Sequence, residues 1–572
     1  MKTKFLPTNL TEGKQYYKDF KQFDVIFITG DPYYDHPLSG IAILSRLLDS
    51  KGYKAGIIAQ PLTDTDYTAC GRPKYFFCIT SGLLDSMLAN YTPMLKKREN
   101  VLVPERALMV YTQKIKQAYK ESITIIGGVE ATIRRFTHFD YKENNLRRGI
   151  LNDTKADILL FGTAERAILK LIQIMSEHNL FNRTLLRSSP YLHEIEGAAF
   201  RIKKNEIKKD IIMLPSYEEC TTDKKKFSLL TRINYFAPDS QVIEQCGSGF
   251  IFHNRREHTF TEEEMDYIYS MPFTRSIHPK SKNLELQEKM TDNLRTSVII
   301  GRGCWGGCHF CVIPLVQGKE TAKRSRKSIL KEIEAIYAAG ENKINDLTMP
   351  TLNMYGSRCD LYKHPKKMFS PIIEKDIVVY DKKDYCNQEC AGCRHRVLNE
   401  DLYSLLEDIE KLQQNKGKEL ELRSAIRHDI ILKQKKLFRK IMQFTQRLKI
   451  APEHISDKIL KNMNKATRKE FEEFLKEYKK INDEQKTRKN LVPYFIAAYP
   501  SCTEEDMKML KEYCKKHNIY VNLTQIFTPT PGTVATTMYY TEENPITKEK
   551  LHVPRTFRER KNQKNILMDA KN

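Results

Sequence analysis

Three closely spaced cysteines, Cys304, Cys308 and Cys311, are the residues whose types and spacing point most clearly to chemistry. Three thiolates at such short intervals can bind three irons of a cubane iron-sulfur cluster and leave the fourth iron without a protein ligand. Glycines recur through 301–307 and would let the backbone wrap closely around a cluster, and an apolar run, 298–300, precedes them. An iron with an open position can bind a chelating molecule and pass one electron to it. The spacing therefore predicts reductive chemistry on a small ligand.

A zinc site is one alternative for these cysteines, and structural thiols without a metal are another. Zinc usually recruits CxxC or Cys/His pairs that lie far apart in sequence, so the spacing favours the cluster. With Phe310 directly before the last cysteine, the stretch resembles the radical SAM signature CxxxCxΦC, in which Φ is aromatic. The resemblance implies a [4Fe-4S] cluster on Cys304, Cys308 and Cys311. It also implies S-adenosylmethionine at the open iron, cleaved reductively to a 5'-deoxyadenosyl radical.

The composition of the 572-residue chain indicates about two to four domains and suggests a charged partner. Lys and Arg number 95 against 72 Asp and Glu, and the resulting charge of +23 would suit a polyanion such as RNA, although lysines on solvated helices explain it equally. Thirteen cysteines, an odd number, favour metal ligation in a reducing compartment over disulfides. The apolar runs are too short to span a membrane, so we expect a cytoplasmic protein without a membrane partner.

Predicted strands and helices alternate along the chain as in an α/β fold, and they could position these residues. Residues 1–175 predict a Rossmann-like domain. The loops 30–40, 127–131 and 162–165 follow strands, at the edge where such folds bind ligands. The domain resembles cobalamin-binding domains, but Asp35-His36 with Gly40 does not fit their DxHxxG pattern, so cobalamin binding stays open. His36 could instead cap its loop or contact the substrate. The predicted strands are 24–29, 55–59, 75–79, 123–126 and 158–161.

A connecting region, 176–290, with short strands near 198–202 and 228–232, should link this domain to a partial (β/α) barrel, 291–540. Ser325 should cap a barrel helix with an apolar face. A basic tail, 541–572, would complete the chain. The cysteine loop follows the first barrel strand, at the end where barrels carry their sites. The predicted barrel strands are 298–300, 344–349, 419–426, 447–450, 492–497 and 521–527.

Residues at the ends of the later strands are predicted contacts of S-adenosylmethionine. Thr348 and Pro350 stand where radical SAM proteins usually carry a Gly-Gly-Glu-like segment that contacts its amino group through backbone atoms. Ser424 and Arg427 could hold the ribose hydroxyls and the carboxylate, although Arg427 could equally form a structural ion pair. Glu453, followed by His454, could orient the ligand or relay a proton. Simple packing is the alternative for His454.

A second set, Cys386, Cys390 and Cys393, repeats the spacing of the first in a polar insert near 359–395. It lacks a preceding apolar strand and the aromatic residue, so we do not assign S-adenosylmethionine to it. With Cys359, or alternatively His395, it would supply four ligands for an auxiliary iron-sulfur cluster or a structural zinc. Unbound thiols are the alternative.

Several segments together resemble the YgiQ-type radical SAM family over nearly the whole chain. They are 35–37, 127–135, 350–355, 449–454, 493–500 and 527–531. The resemblance implies a radical SAM enzyme without an assigned substrate, served by a reductant such as flavodoxin or ferredoxin. Segment 525–535 also resembles methylthiotransferases that modify tRNA or a ribosomal protein, so a methylthiotransferase-like or methyltransferase-like enzyme acting on RNA or a ribosomal protein is a second hypothesis. Cobalamin-assisted methylation or rearrangement, and a non-catalytic iron-sulfur binding or redox-sensing protein, are further alternatives.

Overall fold

A computed structural model describes residues 3–382, 386, 390–413, 417–521 and 523–568. The chain divides into two compact units. Unit 1 consists of residues 1–258, 267–295 and 366–379, and unit 2 consists of residues 259–266, 296–365 and 380–572. The helix Glu262–Ser270 and a two-stranded hairpin, Tyr362–Ser370 with Lys375–Lys382, have residues in both units.

Unit 1 is built on a nine-stranded sheet in the order β2-β1-β3-β4-β5-β6-β9-β8-β7. Strands β1 to β5 are parallel, as predicted, and their short apolar runs are buried because helices can cover both faces of a parallel sheet. Tyr111, Ile126, Leu159 and other buried side chains form the core around these strands. The strands are β1 Val25–Thr29, β2 Ala55–Ala59, β3 Phe76–Thr80, β4 Thr124–Ile126, β5 Ile158–Leu160, β6 Ala198–Ile202, β7 Ile212–Met213, β8 Val242–Cys246 and β9 Gly249–His253.

The region predicted as an irregular connection extends this sheet. β6 is antiparallel to β5, and β8 and β9 form an antiparallel hairpin that the sequence analysis missed. The strand predicted near 228–232 is wrong, because Ser228–Arg232 lie inside the helix Lys224–Phe236. Phe227, Leu230 and Thr231 are buried on one side of this helix, and the Asp223 carboxylate accepts the Lys225 N–H at its start. A short apolar run cannot by itself distinguish a strand from one turn of a buried helix.

The remaining regular elements of unit 1 are helices and one small hairpin. The hairpin pairs His138–Asp140 with Asn145–Arg147. The helices are Leu10–Tyr16, Gly40–Ser50, Asp64–Thr68, Ser86–Asn90, Ala107–Ala118, Gly128–Ile133, Ile150–Thr154, Glu165–Glu177, Arg183–Arg187, Tyr217–Thr222, Lys224–Phe236 and Leu284–Thr291, with 3-10 turns at Pro190–Glu194, Lys204–Glu206 and Asp292–Leu294.

Unit 2 places its parallel strands side by side in chain order, which confirms the partial (β/α) barrel. β10 pairs with β12, β11 pairs with β13, Ile426 bridges to Ile450, and β14, β15 and β16 are adjacent. The strands are β10 Ser297–Ile299, β11 Lys343–Ile344, β12 Asp346–Thr348, β13 Glu419–Leu420, β14 Arg447–Glu453, β15 Asn490–Ala497 and β16 Leu523–Ile526. Two further short pairs join Gly301–Arg302 to Ala322–Lys323 and Arg358–Cys359 to Arg396–Val397.

The helices of unit 2 connect these strands and bury apolar faces against them. The helix Arg326–Ala338 confirms the prediction for this segment: the Ser325 side chain accepts the Ser328 N–H, and Ile329, Ile333, Ile336 and Tyr337 are buried. The other helices are Ile313–Gln317, Asp401–Gln413, His428–Ile431, Lys435–Phe444, Asp457–Met463, Arg468–Glu484, Glu504–Lys516, Val534–Thr541 and Phe557–Met568, with a 3-10 turn at Leu352–Met354.

The segment predicted as a basic tail contributes to the interior of unit 2. Gln563, in the helix Phe557–Met568, accepts the Ala498 N–H at 2.8 Å and donates to the Cys502 carbonyl at 3.0 Å. Arg560 donates to the Phe527 carbonyl. Along the part of the chain that the structure describes, no helix combines the length and the apolar character needed to cross a membrane.

Candidate functional site

Glycines shape the cysteine loop, and Gly303 in particular leaves no room for a side chain. Gly303 and Gly307 have φ values of +82° and +65°, in the left-handed region that favours glycine. A side chain at Gly303 would collide with the Glu320 carbonyl, and one at Gly306 would place its Cβ 2.8 Å from Arg427 Nη1. Cys304, Cys308 and Cys311 are half-buried with free thiols. The loop thus presents three thiols from one short, sharply turned segment.

Later segments of unit 2 fix the position of this loop. The Asn464 amide donates to the Gly307 carbonyl at 2.9 Å. His309 donates its backbone N–H to the Met463 carbonyl, its Nδ1 lies 2.8 Å from the Asn462 carbonyl, and its own carbonyl accepts the Ala535 N–H. Because burial lowers the pKa of His309 to about 4, its ring is neutral at pH 7 and its Nδ1 donates to the Asn462 carbonyl.

The segment after β12 contacts Cys304 directly, which the sequence analysis did not predict. Thr351 Oγ1 lies 3.5 Å from Cys304 Sγ, and Met354 Sδ lies 3.8 Å from it. Asn353 holds this segment in place, because its amide exchanges two hydrogen bonds with the Arg427 backbone. The run 350–355 carried the family resemblance, so its position after a barrel strand was the available signal.

Arg427 lies beside the cysteine loop, but Asp429 engages much of its guanidinium. Nε and Nη2 donate to the two carboxylate oxygens of Asp429 at 3.0 and 2.7 Å, whereas Nη1 lies 3.3 Å from the Gly306 carbonyl and 3.8 Å from Cys308 Sγ. Burial alone would raise the pKa of the Asp429 carboxyl, but the guanidinium holds that pKa well below its usual range. The ion pair considered as the alternative does form, and a contact of Arg427 with S-adenosylmethionine stays a prediction.

Two of the other predicted contacts are joined through Asp346. Ser424 Oγ donates to Asp346 Oδ2 at 2.6 Å, and Thr348 Oγ1 donates to the same oxygen at 3.3 Å. Burial raises the pKa of Asp346, although the Ser424 hydroxyl and neighbouring N–H groups oppose this. Pro350 is half-buried two residues after the end of β12. The Ser424 hydroxyl thus ties the segment after β13 to β12, whereas the Thr348 hydrogen bond stays within β12.

Glu453 and Lys465 form a buried ion pair that the sequence analysis did not foresee. Lys465 Nζ lies 3.8 Å from Glu453 Oε1, and both side chains are almost fully buried. Glu453 has a φ of +69°, at the irregular end of β14. Burial raises the pKa of Glu453, and Lys465 opposes that shift. Lys465 is also close enough to favour the thiolate of Cys311, so a positive charge lies on each side of the loop.

His454 is buried, and both of its ring nitrogens face protein atoms. Nδ1 accepts the Ser456 N–H at 3.0 Å, and Nε2 lies 3.9 Å from Cys502 Sγ. Burial lowers the pKa of His454 to about 4, so the ring is neutral at pH 7. This arrangement favours the packing role over proton transfer.

Three thiols on one short segment are the donor atoms that a cubane cluster needs, but in the described structure they do not form a preassembled metal site. Burial raises the pKa of the Cys304 thiol, and it raises the pKa of the Cys311 thiol to about 12. The neighbouring Cys308 adds to both shifts. Such thiols ionise when a cationic centre binds them, and Arg427 can then donate toward the Cys308 sulfur. Within the described ranges, no three His, Cys, Asp or Glu side chains are grouped to hold a metal ion.

The second cysteine set lies next to the first. Cys359 is opposite Arg396 in a strand pair, and Arg396 Nη2 donates to Cys390 Sγ at 3.1 Å. The same guanidinium is bound by Glu320 and lies 5.2 Å from the ring centre of Trp305, in the first cysteine loop. Cys386 and Cys393 are half-buried. A metal on Cys359, Cys386, Cys390 and Cys393 stays a prediction.

In unit 1, the His36 ring is buried and contacts backbone atoms through both of its nitrogens. It is fully buried, its Nδ1 accepts the Leu38 N–H at 3.1 Å, and its Nε2 lies 3.3 Å from the Arg295 carbonyl. Burial and Arg275 hold the pKa of His36 well below its ordinary value. With both nitrogens engaged, His36 does not fit the role of a cobalt ligand.

Comparisons with known proteins agree on one family. A family model described as Radical SAM N-terminal matches residues 5–297, and a model for a domain of unknown function, DUF3362, matches residues 522–572. A UPF0313 protein of Methanocaldococcus jannaschii is 35% identical, covering 99% of this chain and 92% of that protein. One from Fusobacterium nucleatum is also 35% identical, with 99% of each chain covered.

Among solved structures, the radical S-adenosylmethionine methyltransferase TsrM from Kitasatospora setae, with cobalamin and a [4Fe-4S] cluster bound, has a TM-score of 0.50. It is 12% identical, and the likeness covers 90% of this chain and 77% of that one. The cobalamin-dependent S-adenosylmethionine radical enzyme OxsB has a TM-score of 0.47 at 11% identity, covering 91% and 56%. At this identity the likeness to TsrM concerns the fold.

Proposed function

Because the chain belongs to the radical SAM N-terminal family and to the UPF0313 proteins within it, we propose that it is a radical SAM enzyme whose cluster ligands are Cys304, Cys308 and Cys311. A bound [4Fe-4S] cluster would supply an electron and an open iron for S-adenosylmethionine, which is cleaved to a 5'-deoxyadenosyl radical that acts on a substrate not yet known. The observation that carries the proposal is the loop itself, with three free thiols on one short segment that turns sharply at Gly303 and Gly307.

The neighbouring residues of the chain have definable tasks in this proposal. Arg427 donates toward Cys308 and offsets the negative charge of the thiolates, while Asp429 keeps the guanidinium in position. Thr351 and Met354 pack on Cys304 and limit its access to water. Thr348, Pro350, Ser424, Arg427 and Glu453 remain the proposed contacts of S-adenosylmethionine, supported by their common position at strand ends of the barrel.

Anaerobic reconstitution tests this function. Purified full-length protein is loaded with iron and sulfide, reduced with dithionite, given S-adenosylmethionine, and analysed by chromatography for 5'-deoxyadenosine and methionine. Formation of both products, with about four irons per chain, is expected. A fully loaded sample that forms neither product would instead support a binding or redox-sensing protein. Iron or zinc beyond one cubane would support a metal on the second cysteine set.

Cobalamin-assisted methyl transfer is a second candidate, favoured by the fold that unit 1 and unit 2 share with TsrM, which was solved with cobalamin bound. Because both nitrogens of His36 are engaged, a corrin would have to bind without histidine ligation from this position. Incubation with hydroxocobalamin followed by gel filtration tests the idea. Corrinoid absorbance that does not elute with the protein would contradict it.

We infer the substrate class from the charge of the chain and the electron donor from the family resemblance. A charge of +23 is compatible with RNA or an RNA-bound protein as the substrate, and flavodoxin or ferredoxin as the reductant is implied by the family resemblance. Comparison of RNA modification profiles between a deletion strain and its parent tests the RNA hypothesis, which identical profiles would contradict.

A further inference from the structure

One edge of the sheet in unit 1 gathers the carboxyl ends of several strands. β5 runs parallel to β4, and β9 has the same direction because β6 is antiparallel to both β5 and β9. The loops that begin at Gly127 and Gly162 and the segment that follows His253 therefore leave the sheet at this edge. Ligands bind at this edge in parallel α/β folds.

Two adjacent arginines at this edge have different surroundings. The Arg134 guanidinium is fully enclosed by partners, with Asp85 bound at 2.5 and 3.1 Å and Asp140 at 3.2 Å. The Arg135 guanidinium lies between two aromatic rings, 4.4 Å from the ring centre of Phe136 and 4.1 Å from that of Phe161. Arg135 is half-buried, and within the described residues no carboxylate or carbonyl accepts a hydrogen bond from it.

A second side chain beside Arg135 also has unused hydrogen-bonding capacity. His253 is 1% exposed, its ring lies 4.4 Å from the Phe136 ring, and neither ring nitrogen has a hydrogen-bond partner among the residues described. Burial and Arg135 hold the pKa of His253 well below its ordinary value, so the neutral ring offers one N–H donor. This buried, unpartnered histidine is an observation independent of the arginine.

The local charge balance is positive. Burial lowers the pKa of Arg135 to about 9, and the positive charge of Arg256 lowers it further, whereas Asp239 is the carboxylate that opposes this. Aromatic contacts offset part of the cost of holding a guanidinium there, but less than the cost of burying an unpaired charge. An anion placed against Arg135 and His253 would satisfy both groups at once.

We propose that Arg135 and His253 form a binding site for the oxyanion of a small ligand, carried as a phosphate or carboxylate group. The planar guanidinium, held between Phe136 and Phe161, presents parallel N–H donors of the kind that such groups accept. The site lies entirely in unit 1 and does not depend on the cluster, so it can be tested independently of the proposed radical chemistry.

Thermal denaturation and calorimetric titration of the full-length protein test the site, with inorganic phosphate in one arm and succinate in the other. Sodium chloride at matched ionic strength is the reference. We expect a saturable rise in Tm with an oxyanion but not with chloride. Binding to phosphate alone would identify a phosphate-bearing ligand, and binding to both anions would extend the class to carboxylates.

The variant Arg135→Met keeps an unbranched chain between the two rings and should abolish the rise in Tm. Arg135→Lys keeps the charge without the fork and should weaken binding about tenfold. The matched control is Arg255→Ala, which removes an exposed arginine paired with Glu196 and should bind as the parent does. If neither anion raises the Tm of the parent, or if both Arg135 variants bind like it, the proposal is wrong.

Discussion

The arginine at the cysteine loop of unit 2 and the arginines at the sheet edge of unit 1 differ in the groups that contact their guanidinium. Beside the cysteine loop, Arg427 has a full carboxylate partner in Asp429. At the sheet edge, Arg134 is equally well paired, but the Arg135 guanidinium contacts two aromatic rings and, among the described residues, no carboxylate. A site whose charges are already matched can keep its shape without a ligand. A site with an unmatched charge needs a ligand to complete it.

The largest effect should come from removing a thiol of the cysteine loop. Cys308→Ala should abolish 5'-deoxyadenosine formation, a loss beyond the roughly 100-fold typical of outer partners of a metal centre. The thermal stability of unit 1 should be unchanged. Product formation and iron content are the measurements, and Cys246→Ala, a half-buried thiol in unit 1, is the control. A variant that cleaves S-adenosylmethionine as fast as the parent would refute the ligand assignment.

Breaking the ion pair between Arg427 and Asp429 in unit 2 should have the next largest effect. Asp429→Asn leaves the Arg427 charge buried without its partner and should cost about 3–5 kcal/mol of stability and about 10–100-fold in activity. The double variant Arg427→Met with Asp429→Leu should recover most of the stability but not the activity. Urea unfolding and product formation measure the two effects. Recovery of both would mean that Arg427 has no role beyond packing.

The third prediction concerns the pH dependence of stability, and it involves a carboxyl group of unit 1 that has a hydrogen-bond partner for one oxygen only. Burial raises the pKa of Glu244 from 4.5 to about 7, and Thr137 opposes this shift only in part. The Thr137 N–H binds one carboxylate oxygen, and the other has no partner in the described structure. Its folded-state pKa lies above the unfolded value. Its favourable contribution is therefore complete below pH 4.5 and is lost as the pH rises through about 7.

Glu244→Gln should therefore stabilise the protein at pH 8 by at most about 3 kcal/mol and flatten the pH dependence of unfolding. Denaturation curves from about pH 4 to about pH 8, a range that includes both pKa values, provide the measurement. Glu121→Gln, at an exposed position, is the matched control. If parent and Glu244→Gln lose stability in parallel, the carboxyl is charged in the folded protein and has found a partner.

The smallest effect is expected at His454. Because its ring is neutral and both nitrogens face protein atoms, His454→Gln should cost about 1 kcal/mol of stability and leave the pH profile of product formation unchanged. Loss of one limb of the pH–rate profile in this variant would instead identify His454 as a proton carrier.

The sequence predicted features whose cause is local. Short apolar runs predicted β1 to β5, and the spacing of Cys304, Cys308 and Cys311 predicted a loop that carries three thiols. It did not reveal pairings that depend on the folded chain, such as Lys465 with Glu453. Arg134 and Arg135 are identical in type and adjacent, so the pattern could not tell which one faces Asp85 and which one faces two aromatic rings. That distinction is set by the tertiary structure around them.

The hydrogen bonds that hold the cysteine loop have a consequence for the biosynthesis of the protein. The backbone of His309 is bound by Met463 and by Ala535, which are translated long after the cysteines. While the chain is still being made, the loop lacks these partners and Arg427 as well. Insertion of iron and sulfide should therefore follow synthesis of nearly the whole polypeptide, and a truncated chain should acquire the cluster poorly.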